Sequence, residues 1–107
     1  MHRFFLAALS IAIAAASTDA FATPTATVDV TRFAFQPKEI TVAPGTTIVW
    51  TNHDETPHTV TSADKVLASK AMDTGDVYQH TFNDAGDVAY FCGAHPFMTG
   101  VVHVRGP

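Results

Sequence analysis

One cysteine, Cys92, stands in the stretch YFCGAHPFMTG (residues 90–100), with His95 and Met98 following at steps of three. A thiolate, an imidazole and a thioether on one short loop can all face a single point. Soft sulfur donors favour Cu(I), and imidazole suits copper in either oxidation state, so the set tolerates both. A trigonal site of one cysteine and two histidines with a weak axial methionine is the arrangement of blue-copper centres. It needs a second histidine, and His58 is the best placed: it follows Pro57, whose fixed φ presents the ring from a rigid approach, at the start of a β-prone run. His53 sits beside Asp54 and Glu55 and reads as a solvated turn residue. His80 alternates with Tyr78 and Phe82, as a partly buried strand histidine does, and His103 lies among Val101, Val102 and Val104, facing solvent or the sheet.

The cysteine count is informative because the chain begins like an exported protein. Met1-His2-Arg3 is a short basic start, Phe4 to Ala16 is an uncharged apolar run, and Ala20-Phe21-Ala22 is a small-x-small cleavage pattern. The run is shorter than the roughly 20 apolar residues that span a bilayer, and no cysteine near the cut offers a site for a lipid. Residues 1–22 are therefore expected to be a cleaved signal peptide, and residues 23–107 a single periplasmic domain without a membrane span. Small exported domains carry cysteines in pairs. A lone one is an intermolecular bridge, a reactive thiol, a small buried hydrophobe or a metal-protected thiolate, and its neighbours favour the last. The formal charge of −4 argues against nucleic acid and anionic membrane as partners, and a soluble monomer is expected.

Strands must position these donors. Ala26 to Phe35 is rich in valine, threonine and phenylalanine; Pro37 to Val42 ends at the turn signal Pro44-Gly45; Thr46 to Asn52 puts Ile48 and Trp50 on one face. His58 to Thr61, Val77 to Phe82, Asp87 to Phe91 and Gly100 to Val104 complete the set, with Ser62 to Asp76 irregular or holding one helical turn around Val66 to Lys70. About seven to eight short strands separated by turns make an all-β, Greek-key antiparallel sandwich. Tyr90, two residues before Cys92 and after an Asp-x-Gly turn, fits a tyrosine corner, with its phenol pinned to nearby backbone. An immunoglobulin domain would need a second cysteine near Trp50, and there is none.

The run from Tyr90 through Cys92-Gly-Ala-His95-Pro-Phe-Met98 to Gly100-Val-Val resembles the ligand loop of the small blue copper proteins, the cupredoxins. Among them it is most like the amicyanins, which share two residues between Cys and His and the His-Pro-Phe-Met ending; pseudoazurins and plastocyanins are more distant. Upstream, Phe35-x-Pro37, Val42-x-Pro44-Gly45, Val49-Trp50-x-Asn52 and Pro57-His58 follow in the same order. The resemblance implies one type 1 copper held by His58, Cys92, His95 and Met98, cycling between Cu(I) and Cu(II). It implies an electron-transfer protein rather than an enzyme. Its redox partners, a c-type cytochrome or a dehydrogenase, would dock transiently near His95, Pro96 and Phe97. Pro57 lies at the edge of that patch, and Met72 either joins it or plugs the loop beneath. One departure is Thr59, where many members carry an asparagine that ties the two ligand loops; a weaker tether is expected, with the Thr59 N–H still able to reach the sulfur. The nearest rival is a copper carrier or store. A Cys92–His95 nucleophile–base pair lacks an orienting group and leaves Met98 without a role, a binuclear copper site would need a second loop cysteine, and zinc rarely takes methionine.

Overall fold

β-Branched and aromatic residues dominate the strands of residues 23–106, the part of the chain that this computed structural model describes. The expected export segment, 1–22, lies outside the described residues. Seven strands form: β1 (Thr25–Thr31), β2 (Ala34–Gln36), β3 (Glu39–Val42), β4 (Thr46–Asn52), β5 (Val77–Phe82), β6 (Gly86–Phe91) and β7 (Thr99–Val104). They pair into one sheet ordered β2-β1-β4-β5 and a second ordered β3-β7-β6. No helix occurs among the described residues.

The all-β sandwich matches expectation, but its sheets are mixed. β1 runs parallel to β4 and β3 parallel to β7, while the remaining ladders are antiparallel. The cause is the route of the chain. After the β1–β2 hairpin it crosses to the second sheet for β3, then returns beside β1 and enters β4 in the same direction.

β4 alternates between buried and half-buried residues along its length, and its inner face carries Ile48 and Trp50, both fully buried. Trp50 is boxed by Tyr90 (ring centroids 5.5 Å apart), Tyr78 (5.7 Å) and Phe82 (6.3 Å). Val28, Val30, Val102 and Val104 fill the space between the sheets. Burial of such side chains contributes about 1.5–3 kcal/mol each relative to exposure, which makes this the stiff frame on which the loops at one end are hung.

The run Ala26 to Phe35 is broken where a continuous strand was expected. Arg32 and Phe33 take left-handed backbone angles (φ 52° and 55°), and the chain reverses there into β2. Such a conformation costs an ordinary residue about 1–2 kcal/mol, so something must hold it. The short strand expected at His58 to Thr61 is reduced to isolated bridges from His58 to Met72 and from Thr61 to Ala68 and Phe91. The irregular stretch that follows contains no helical turn; Leu67 plugs it, and its N–H donates to Ser62 Oγ (2.9 Å).

Tyr90 does not form the expected pinned corner. Its hydroxyl is buried without a hydrogen-bonding partner among the described residues, as is the Trp50 indole N–H. Burial pushes the phenol pKa up to about 12, against a smaller opposing pull from the neighbouring Trp50 indole. The ring serves packing instead: it lies 4.7 Å from Phe35 and presses so closely on Gly100 that a Cβ there would come within 3.0 Å of it.

Candidate metal centre

Three segments meet at the end of the sandwich where β1, β4 and β6 finish: the β1–β2 turn, the loop after β4, and the loop between β6 and β7. Asn52, the fully buried last residue of β4, organises the second of these. Its Nδ2 donates to the carbonyls of Thr56 (3.1 Å) and Met72 (2.9 Å), and its Oδ1 accepts the Asp54 N–H (3.0 Å). Pro57 then delivers His58 into the interior, where paired backbone bonds with Met72 hold it. Met72 is thus the plug beneath the loop and takes no part in the surface patch.

The β6–β7 loop closes on itself. The Cys92 N–H donates to the Met98 carbonyl (3.0 Å), the His95 N–H to the Cys92 carbonyl (3.2 Å), and the Met98 N–H to the His95 carbonyl (2.9 Å). These bonds explain the steps of three: each donor residue begins or ends a turn of the loop. Reciprocal bonds between Thr61 and Phe91 lock this loop to the segment that carries His58.

The outcome is convergence. One ligand atom from each of His58, Cys92 and His95 lies within 4.8 Å of the others. Cys92 Sγ is 3.8 Å from His58 Nδ1 and 3.7 Å from His95 Nδ1. With metal–sulfur and metal–nitrogen bonds of about 2.3 and about 2.0 Å, donors about 120° apart lie about 3.7 Å from one another. Both sulfur–nitrogen spacings are therefore those of ligands about 120° apart on one ion, and they are too long for strong hydrogen bonds. Met98 is buried at the end of the same loop, which adds the thioether. His58 and Cys92 are fully buried, whereas His95 is half-buried, its ring beside Phe97 (6.0 Å).

A model of copper binding proteins of the plastocyanin/azurin family matches residues 22–105. The chain belongs to this family. Curated relatives include amicyanin from Paracoccus versutus, 38% identical over 72 residues that span 63% of this chain and 54% of that protein. Amicyanin from Paracoccus denitrificans is 35% identical over 73% of this chain and 63% of its own length. The chain thus spans about half to two thirds of these relatives. Among solved structures, a reduced amicyanin variant superposes with a TM-score of 0.72 at 32% identity, over 78% of this chain and 85% of the other. A purple cupredoxin from Nitrosopumilus maritimus gives 0.71 at 29% identity, over 75% and 99%.

Copper is thus the metal that this cupredoxin's donor set fits, and its surroundings suit a thiolate. The Thr59 N–H donates to Cys92 Sγ at 3.3 Å, as expected. The Thr59 hydroxyl behaves differently from expectation: it accepts the Gly93 N–H at 2.7 Å and lies 3.2 Å from Thr61 Oγ1, so it ties the two loops directly. The other histidines stay outside the cluster. His53 pairs with Asp29 on the surface, His80 packs on Phe82, and His103 bridges Asp87 and Glu39.

Two residues of the site escaped sequence reasoning. Asp54 Oδ2 is 2.9 Å from His58 Nε2, and the same carboxylate accepts the N–H groups of Arg32 (2.7 Å) and Phe33 (2.9 Å). Burial works to raise the Asp54 pKa, but the Phe33 and Arg32 amides, with His58, outweigh it and hold the carboxyl below its ordinary value. The Asp-x-x-x-His spacing was the available signal. Phe33 packs its ring edge-on against both His58 (5.0 Å) and His95 (5.3 Å), and no local pattern announces that.

Proposed function

We propose that this cupredoxin is a periplasmic electron carrier, exported by residues 1–22 and active as a single domain from residue 23, with copper bound by His58, Cys92, His95 and Met98. Copper held by these residues would supply one-electron chemistry through its Cu(II)/Cu(I) couple, with one redox partner as the reductant and another as the oxidant. The chain's own groups do the rest. The Thr59 N–H donates to the sulfur and favours the thiolate, and the loop bonds fix the imidazoles.

The observation that carries this reading is the spacing of 3.7–3.8 Å between a buried sulfur and two imidazole nitrogens, which suits ligands of one ion. Such a cage, hung on two packed sheets, has little room to relax between oxidation states. The half-buried His95 is the exit for the electron. Beside it Phe97 is 72% exposed and Phe33 42% exposed, with Pro96 also exposed. An apolar patch of that size suits brief, low-area docking of the kind redox partners use, here a c-type cytochrome or a dehydrogenase. The protein is not itself an enzyme in this reading.

The test is direct. Cu(II) added to purified protein should give intense blue absorption that Cys92→Ser abolishes, and reduction and reoxidation should be reversible. Colour that survives Cys92→Ser, or copper that passes at once to a chelator as from a carrier, would overturn the reading.

A further inference from the structure

Phe33 belongs to neither segment that supplies the donors, yet its ring touches both imidazoles. It meets His58 at 5.0 Å and 82° and His95 at 5.3 Å and 88°, while the two imidazoles lie 5.1 Å apart. The three rings form one edge-to-face cluster, an arrangement that aromatic groups favour. Rotation of either imidazole away from the sulfur would have to displace the phenylalanine.

Phe33 reaches this position only through the unfavourable left-handed turn at Arg32 and Phe33. The Asp54 carboxylate holds that turn by accepting both backbone N–H groups, and it also faces His58 Nε2. Because the carboxylate only accepts, the third group must be His58 Nε2–H, and in the neutral imidazole, the form that binds a metal, this puts the Nδ1 lone pair on the side of Cys92. Asparagine could not replace it, having a single acceptor oxygen and an NH₂ group that would face donors.

We infer that Phe33 and Asp54 form a latch that retains the metal: Phe33 blocks the two imidazoles from swinging off the ion, and Asp54 fixes both Phe33 and the binding tautomer of His58. Resting on the assignment of His58 and His95 as ligands, the inference adds how this chain keeps its copper rather than passing it on.

The test loads wild-type protein, Phe33→Ala, Asp54→Asn and Asp54→Glu with copper, reduces them, and follows transfer of Cu(I) to a bicinchoninate chelator. Phe33→Ala and Asp54→Asn should release copper at least about tenfold faster, the scale at which groups orienting metal ligands act. Asp54→Glu, which keeps the acceptor carboxylate, should restore most of the retention. In metal-free protein, nitrogen NMR should find His58 protonated at Nε2 in the wild type and mixed between tautomers in Asp54→Asn. Phe33 is partly exposed, so its truncation is expected to fold; should it not, Phe33→Leu carries the same test with a smaller acceleration. Release at the wild-type rate from Phe33→Ala and Asp54→Asn, with a copper site still formed, would overturn the latch and leave the electron-carrier reading intact. A wild-type protein that forms no copper site would sink that reading instead.

Discussion

Replacing Thr59 by valine keeps the β-branched shape and removes only the hydroxyl. That oxygen accepts the Gly93 N–H at 2.7 Å, whereas the bond from the Thr59 main-chain N–H to Cys92 Sγ at 3.3 Å does not depend on the side chain. The substitution therefore separates the tether between loops from the donor to the sulfur. One hydrogen bond contributes about 0.5–1.5 kcal/mol, and because Gly93 is exposed, water can take over part of it. A loss of about 0.5–1 kcal/mol is expected in urea unfolding of metal-free protein, as a lower midpoint with unchanged slope. For a domain of this size that is roughly 2–8 °C in Tm. The reduction potential should hardly move. A change of about 60 mV would require about 1.4 kcal/mol of differential stabilisation between oxidation states, and a hydroxyl 4.0 Å from Sγ cannot supply it. An unchanged midpoint would refute the tether, and a potential shift of 60 mV or more would show that the hydroxyl, rather than the amide, governs the sulfur.

Pro96 has no N–H to offer the thiolate, so Pro96→Ala should free a donor, stabilise the more anionic reduced site and raise the potential by about 60 mV if that bond is worth about 1.4 kcal/mol; voltammetry without an upward shift refutes it. Gly100→Ala places a Cβ against the buried Tyr90 ring, so overpacking should cost about 1–3 kcal/mol of stability, and an unchanged unfolding midpoint would mean that the ring yields freely. His103 is held above its usual pKa first by Asp87 and then by Glu39, and Asp87 below its own first by His103; the histidine's contribution is complete below pH 6.5 and fades as pH rises through its raised value, and the aspartate's is complete above pH 3.8 and fades as pH falls through its lowered one. His103→Gln should therefore lower Tm more near about pH 5.5 than near about pH 8.5, and equal losses would count against the triad.

The parts of this architecture that local chemistry controls could be read from the chain alone. β4 and β5 fall on the anticipated residues because Thr46 to Asn52 and Val77 to Phe82 are β-prone and bounded by turns. The loop bearing Cys92, His95 and Met98 was legible because its donors lie within one short turn sequence, and His58 because Pro57 marks a rigid approach. What escaped depends on contacts far apart in sequence. Phe33 and Phe35 alternate as if they shared a face, but the left-handed turn puts Phe35 in the core and Phe33 over the imidazoles. Asp54 read as part of a solvated turn because its partners, Arg32 and Phe33, stand more than 20 residues earlier. Tyr90 resembled a corner by spacing, yet the contact that fixes it is the bare surface of Gly100 on the neighbouring strand. Parallel pairing of β1 with β4 follows from the crossing between sheets, which no window of a few residues contains.

The placement of polar groups argues that the site is built before the metal arrives. Each of the three segments is fastened by its own device: Asp54 on the β1–β2 turn, Asn52 on the loop that leads to His58, and Thr59 with Thr61 on the cysteine loop. None of these devices needs an ion, and each is anchored at a strand end next to a packed core. A cage fixed in this way can offer one donor spacing to both oxidation states of a bound ion, which is what the proposed electron transfer requires. The same stiffness explains why the two imidazoles need a lateral stop. The rigid backbone fixes where each ring begins, but a side-chain torsion can still swing it, and Phe33 stands where both swings would pass.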